Sequence, residues 1–348
     1  MQGDSLGFVD AVAGWPEQLE VAHELAAEAD LSSLPAAAAI DSIAVLGMGG
    51  SGIAGDVLQA VGSALPVPVT VLKQYRTPAF IGPSTLVFAL SYSGNTEETV
   101  SMTRGAFEAG APVVTVTTGG ALDELAAAHH GLRISCPPGL MPRGALGALL
   151  APLLVTVFRL GMFPEAHASL VKAQEQLARR RDQCRPAVEG AKNPARELAR
   201  RIGRTIPVVY GGGALGAVAA RRLKNDINET AKAPAFWGAY PELNHAEICG
   251  WGQHGDVTRQ ILTLVQLRHG FEHPRLSQQM ALSRDMVEEV FVQVLEVEAE
   301  GEGRLAQLLD LMYLGTWTSC YLALANDVDP GPIDAIAQLK AALGPIAT

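Results

Sequence analysis

The segment IAVLGMGGSGIAGD, residues 43–56, runs from an apolar, partly β-branched stretch into a glycine turn and out into helix-compatible sequence. Gly47, Gly49 and Gly52 give the turn the spacing G-x-G-x-x-G, and Gly211, Gly213 and Gly216 repeat it after PVVY at an offset of 164 residues. A glycine turn that closes a strand and opens a helix marks a strand–helix unit of an α/β protein. Its recurrence in the same local setting makes two similar α/β domains the economical reading.

Working outward, the apolar runs SIAVLG, PVTVL, TLVFAL, APVVTVT and GLRISC alternate with helix-compatible stretches such as ETVSMTRGAFEAG. That alternation predicts a mainly parallel sheet covered by helices on both faces. The pattern restarts at IPVVYG, continues through QILTLVQL and EVFVQVLEVEA, and closes with a helix over 333–343. Ahead of the first strand, residues 5–38 are alanine-rich and read as helical, with Pro16 in GWPEQ marking a helix start. Between the halves, residues 165–201 are charged and helical, and the interspersed acids favour a solvated helical face over a nucleic-acid patch. The expected organisation is an N-terminal helical segment (1–38), a first α/β domain (39–163), a helical linker (164–200) and a second α/β domain (201–348).

Bulk composition narrows the function classes. The chain has 348 residues, 48% hydrophobic and 18% charged, enough for two packed domains without disulfide or metal staples. A formal net charge of −10 argues against a surface that wraps nucleic acid or docks on anionic lipid, yet leaves room for a small anionic ligand. Cys136, Cys184, Cys249 and Cys320 are widely spaced and form no CxxC pair, which suggests reduced thiols rather than a zinc site or a disulfide framework. The first thirty residues carry early acids and no basic-then-apolar block, so no signal peptide is read there. The apolar stretch 144–158 contains Pro152 and falls short of the ~20 residues a membrane span needs, so it reads as a buried helix. A cytoplasmic protein with no membrane partner is expected.

A glycine turn at a helix start lets backbone N–H groups approach an anion at the positive end of the helix dipole. A dinucleotide site would need an acid about 20 residues on, whereas the second strand here ends in LKQYR, with Lys73 and Arg76. That pattern disfavours NAD and leaves an NADP-type site as a minor reading. GGGALG, with no hydroxyl nearby, reads as a turn that needs glycine for close packing. GMGGSG differs: it carries Ser51, and a second hydroxyl-rich turn, SYSGNTEET at 91–99, follows the run TLVFAL. Ligands collect beyond the carboxyl ends of parallel strands, so the two turns are expected to converge. Ser51, Ser91, Ser93 and Thr96, with the amides of a helix starting near Asn95, then supply several donors to a phosphomonoester. Thr96 and Thr99 taken alone would be explained by helix capping.

GMGGSGIAGD and SYSGNTEET resemble the phosphate-binding segments of the sugar isomerase (SIS) domain. MPRGAL with Arg143, NDINETAKAPAF with Glu229, YPELNHAEICGW with His245, and the C-terminal IDAIAQLKAAL extend the resemblance over residues 40–345. Together they resemble the bifunctional phosphoglucose/phosphomannose isomerase family. The resemblance implies two SIS-type three-layer αβα sandwich domains with mainly parallel sheets. It implies an aldose–ketose isomerase acting on fructose 6-phosphate, glucose 6-phosphate and mannose 6-phosphate through a cis-enediol, with no cofactor and no metal. It also implies a homodimer in which His245 reaches the site across the interface.

Such a reaction needs a group to open the sugar ring and a base to carry a proton between C1 and C2. By resemblance Glu229 is the base; in NETAK alone it would equally be a solvated helical residue. Histidine exchanges protons near neutral pH, as ring opening requires, and the resemblance favours His245 over the neighbouring His254. Arg143, set between proline and glycine, is expected to stabilise enediolate charge as a fixed cation. Lys340 takes a role in ring opening or substrate orientation from the resemblance alone, a helix-surface lysine being the ordinary case. Gly49, Gly50, Ser51, Ser91, Ser93 and Thr96 are the expected phosphate contacts. A SIS-domain sensor that binds a phosphosugar without turning it over would keep the hydroxyls but have no need of Glu229, His245 and Arg143 together. An NADP oxidoreductase would bind nucleotide and isomerise nothing. No role is read for the stretch DVDPGPIDAI, which contains Gly331.

Overall fold

The structure, a computed structural model, describes residues 3–344. The outermost residues of the first and last expected segments, 1–2 and 345–348, lie outside the described residues. Two all-parallel sheets organise the chain. The first runs β2-β1-β3-β4-β5, built from β1 (Ser42–Gly47), β2 (Val69–Leu72), β3 (Thr85–Leu90), β4 (Val113–Thr117) and β5 (Leu132–Ser135). The second runs β7-β6-β8-β9, built from β6 (Ile206–Gly212), β7 (Phe236–Tyr240), β8 (Leu262–Arg268) and β9 (Gln293–Glu298).

The helices are α1 (Phe8–Ala13), α2 (Trp15–Glu28), α3 (Gly49–Val61), α4 (Glu97–Glu108), α5 (Gly120–Ala128) and α6 (Leu146–Arg159) in the first half. They continue with α7 (Ala166–Cys184), α8 (Pro194–Ile202), α9 (Gly213–Thr230), α10 (Gly255–Ile261), α11 (Pro274–Val287), α12 (Arg304–Ala325) and α13 (Asp334–Leu343). The mainly parallel α/β class expected from the sequence is the class observed.

Strands buried on both faces explain why the apolar runs are continuous rather than alternating. Ile43 and Val45 of β1 join one core that also holds Val209 and Val265 of the second sheet and residues of α2, α3, α6, α7, α9 and α12. The intervening Ala44 and Leu46 point to the other face, against Met102 and Ala106 of α4. Helices therefore cover both faces of the first sheet and form the layer that joins it to the second.

Three local readings are corrected. The N-terminal helix ends at Glu28, and only short 3-10 turns at Leu31–Ser33 and Ala37–Ala39 follow before β1. Strand β7, FWGAY, was not anticipated; it is an edge strand with Phe236 and Trp237 exposed and a glycine at its centre, so it lacks the buried apolar run that marks its neighbours. Helix α7 is more than a solvated face. It packs Leu170 and Leu177 into the central core, and its Arg180, 3% exposed, pairs with the fully buried Asp310 of α12 at 2.7 Å. The stretch 144–158 does form a buried helix: α6 is buried from Leu146 through Val157. Among the described residues no helix is long and apolar enough to cross a membrane.

Candidate active site

The two turns singled out in the sequence meet at the carboxyl ends of β1 and β3, adjacent strands of the first sheet. Helix α3 starts directly after β1, and its first turn is pressed onto the strand. A Cβ at Gly52 would lie 2.3 Å from the Gly47 carbonyl oxygen, so only glycine permits the approach. Gly211 and Gly216 meet in the same way at the start of α9, which fits the close-packing reading of GGGALG. The backbone N–H of Tyr92 donates to Ser51 Oγ at 3.3 Å, tying the SYSGN turn to α3. Ser91 Oγ and Thr96 Oγ1 are hydrogen-bonded at 2.9 Å, and Ser93 Oγ accepts from the Asn95 N–H at 3.3 Å. Ser51 and Ser91 are buried, Thr96 is half-buried and Ser93 is exposed. Thr96 occupies the N-cap position of α4 without a side-chain capping bond, and the Thr99 hydroxyl is buried without a partner, so capping does not account for the cluster.

Lys73 is not a free cation beside this turn. Its side chain runs over Gly52 and its ammonium donates to the buried Asp56 of α3, which also pairs with Arg221 of α9. Burial lowers the Lys73 pKa, and the Asp56 carboxylate opposes that shift.

Gly50 faces the other half of the site. Its missing side chain admits the backbone of the 3-10 turn Pro142–Gly144, with the Pro142 oxygen 3.0 Å from where a Cβ would stand. That turn carries Arg143, 4% exposed, whose guanidinium donates to Thr230 Oγ1 (2.9 Å), the Pro330 carbonyl (3.0 Å) and the Gly331 carbonyl (2.6 Å). Its Nε lies 3.5 Å from Glu229 Oε2. Glu229 is the penultimate residue of α9 and lines a cleft with Gly49, Gly50, Ile53, Arg143, Arg222, Asn225 and Asp226. Burial pushes the Glu229 carboxyl above the usual glutamate range, and Arg143 is the principal influence pulling it back. The stretch around Gly331, unassigned from sequence, thus serves as an acceptor that fixes Arg143.

Arg222 and Asp226 were missed. They lie at i−7 and i−3 from Glu229, on the same helical face, and that spacing was the available signal. Arg222 donates from Nε to Asp226 Oδ2 (2.8 Å) and from Nη2 to the Arg143 carbonyl (2.8 Å), while Thr316 Oγ1 donates to Asp226 (2.6 Å). The group consists of two ion pairs, Glu229–Arg143 and Asp226–Arg222, joined through the Arg222 bond to the Arg143 carbonyl. The N-terminal helices wall it off. Phe8 lies 4.4 Å below the Arg143 guanidinium and Trp15 lies 5.3 Å from that of Arg222. Trp15 Nε1 and Gln18 Nε2 both donate to the Gly144 carbonyl, at 3.1 and 2.8 Å.

His245 and Lys340 are not brought to this cleft within one chain. His245 is exposed at the end of the 3-10 turn Glu242–His245 after β7. Lys340 is exposed on α13, a helix with no buried residue. His254 precedes α10, and His269 is buried with Nε2 2.9 Å from the Gly212 carbonyl, a structural contact. Among the described residues no three His, Cys, Asp or Glu side chains are grouped to hold a metal ion.

Two parallel α/β halves, with a glycine-opened helix facing a hydroxyl-rich turn and a carboxylate–guanidinium pair, define a SIS-type protein of the sugar-isomerase class. Residues 191–343 match the model of the bacterial phospho-glucose isomerase C-terminal SIS domain. The chain is 35% identical to the bifunctional phosphoglucose/phosphomannose isomerase of Caldicellulosiruptor bescii, over 97% of this chain and 99% of that one. It is 33% identical to the enzyme of the same name from Aquifex aeolicus, over 86% and 89%. A glucose-6-phosphate isomerase-like protein of Thermus thermophilus shares the fold, with a TM-score of 0.60 at 22% identity over 94% of this chain and 96% of that one. The chain belongs to the bifunctional phosphoglucose/phosphomannose isomerase family.

Proposed function

We propose that this chain is a cytoplasmic, homodimeric aldose–ketose isomerase that interconverts fructose 6-phosphate with glucose 6-phosphate and mannose 6-phosphate. The observation that carries the reading is the pair Glu229–Arg143, 3.5 Å apart in a cleft whose opposite wall is the Gly49–Gly50 helix start. The phosphate rests on the N–H groups of Gly49 and Gly50 and on the hydroxyls of Ser51, Ser91, Ser93 and Thr96, where the α3 dipole favours negative charge. That anchors the sugar with C1 and C2 toward Glu229. The carboxylate takes the proton from one carbon, a cis-enediol forms, and the proton returns to the other carbon. The fixed Arg143 guanidinium stabilises the charge that grows on the enediolate oxygen. A carboxyl lifted above the usual range is a stronger base than an exposed one, which suits the step.

Ring opening falls to His245 of a second copy, with Lys340 assisting or orienting the sugar. Both are exposed on segments available to a partner. Residues 39–163 then form the phosphate-binding domain and 201–348 the domain that carries the base, joined by 164–200 and preceded by the N-terminal segment 1–38. Action on both epimers at C2 rests on the named relatives.

Proton NMR of the purified protein with fructose 6-phosphate, beside Glu229→Gln, tests the reading. Appearance of glucose 6-phosphate and mannose 6-phosphate with wild type and of neither with the variant supports it. Binding of the sugar phosphate without turnover would make the chain a sensor and remove the catalytic assignments.

A further inference from the structure

The loop that carries His245 is pinned on both sides of that residue, while the imidazole itself stands exposed. On one side, Leu243 is buried in the outer core of the second sheet, and the Asn244 side-chain amide is hydrogen-bonded to Ser283 Oγ of α11 at 2.8 Å. On the other side, the Glu247 carboxylate accepts from the Tyr210 hydroxyl. The Trp251 indole N–H donates to the same hydroxyl at 3.2 Å, and the Trp251 ring packs 4.7 Å from Phe291. Tyr210 is 1% exposed on β6 and meets Tyr240 edge-on at 5.7 Å. Its neighbour in register on β7 is Gly238, where a Cβ would lie 2.9 Å from the Tyr210 ring and 3.4 Å from Glu247 Oε2. The glycine opens the slot through which the loop carboxylate reaches the buried phenol.

We propose that Tyr210 and Glu247 are positioning residues for His245: their hydrogen bond locks the 242–251 loop so that the imidazole projects at a fixed place and angle. The proposal rests on the ring-opening role given to His245 above. A general acid–base group works only when held within hydrogen-bond reach of its proton, and a misplacement of about 1 Å from a remote change can cost about 10²-fold. A flexible loop would present the imidazole over a range of positions; the anchors at 243, 244, 247 and 251 restrict that range. Neither Tyr210 nor Glu247 lines the Glu229 cleft, so their loss leaves the phosphate contacts and the base in place.

The test is steady-state kinetics on fructose 6-phosphate with the full chain carrying Tyr210→Phe, Glu247→Ala or Glu247→Gln, each also in a His245→Asn background. Tyr210→Phe and Glu247→Ala are expected to lower kcat about tenfold, with KM within about twofold of wild type. Glu247→Gln, which keeps an acceptor for the phenol, is expected to recover most of the loss. In the His245→Asn background, Tyr210→Phe is expected to change kcat by less than about twofold, because the residue it positions is gone. An equal loss in both backgrounds, or an unchanged kcat in Tyr210→Phe alone, overturns the proposal while leaving His245 in its role. Full activity of His245→Asn overturns the role of His245 and the positioning proposal with it.

Discussion

Glu229 is held between two opposing influences: burial favours its neutral form, and the Arg143 guanidinium favours the carboxylate. Burial wins, so the proton is lost at a higher pH than for an ordinary glutamate, and the base form disappears earlier as pH falls. The acid limb of kcat/KM is therefore expected above the ordinary glutamate value of about 4.3. Arg143→Gln, which removes the chief opposing charge, is expected to move that limb further upward. A pH profile whose limb lies at or below the ordinary value, or that shifts downward in the variant, would contradict this assignment. Glu229→Gln is expected to lower kcat by about 10²- to 10⁴-fold, the usual weight of a positioned proton carrier. The variant is expected to keep its thermal midpoint, since the carboxylate side chain is 25% exposed and Arg143 retains its Thr230, Pro330 and Gly331 acceptors.

Helix α3 shows how an element is placed by residues that are not there. Glycine at 52 lets its first turn touch β1, and glycine at 50 lets the Arg143 turn touch α3. In Gly52→Ala the added methyl meets the backbone carbonyl oxygen of Gly47 at 2.3 Å, so the helix must move as a unit. Overpacking of this kind costs about 1–3 kcal/mol. Urea denaturation is expected to show that loss, and KM for fructose 6-phosphate is expected to rise as the α3 amides leave the phosphate. A variant with wild-type stability and KM would show that the contact is not what seats the helix.

Across the whole molecule, the helical layer between the sheets contains charge as well as apolar packing. Arg180 of α7 is bonded through two nitrogens to Asp310 of α12, at 2.8 and 2.7 Å, and Asp310 also accepts from Gln176 Nε2 and the Glu300 N–H. Removing one partner leaves the other charge buried without compensation, a change that typically costs about 3–5 kcal/mol. Arg180→Met is therefore expected to lower the thermal midpoint sharply, while Lys172→Met, at the exposed pair with Glu302, is expected to change it little. Equal effects of the two substitutions would refute the distinction. The same layer holds the N-terminal helices against the site, so Phe8 and Trp15 contribute to the placement of Arg143 and Arg222 although they are far from both in sequence.

Periodicity and punctuation carried the strands other than β7, because a parallel strand buried on both faces is a continuous apolar run and a glycine turn ends it visibly. The convergence of Ser51 with the SYSGN turn was legible for the same reason, since both follow strands of one sheet and leave at the same edge. Strand β7 was hidden because an exposed edge strand has no such run. Arg222, Asp226 and the Arg180–Asp310 pair were hidden because a charged residue on a helix looks solvated until the opposite wall is known. Local sequence determined which segments became strands and helices and where backbone could approach backbone. Only the tertiary structure decided which charges were buried together, because burial and pairing depend on residues 79 to 188 positions apart, as from Arg143 to Arg222 and to Gly331, and no local pattern records that distance.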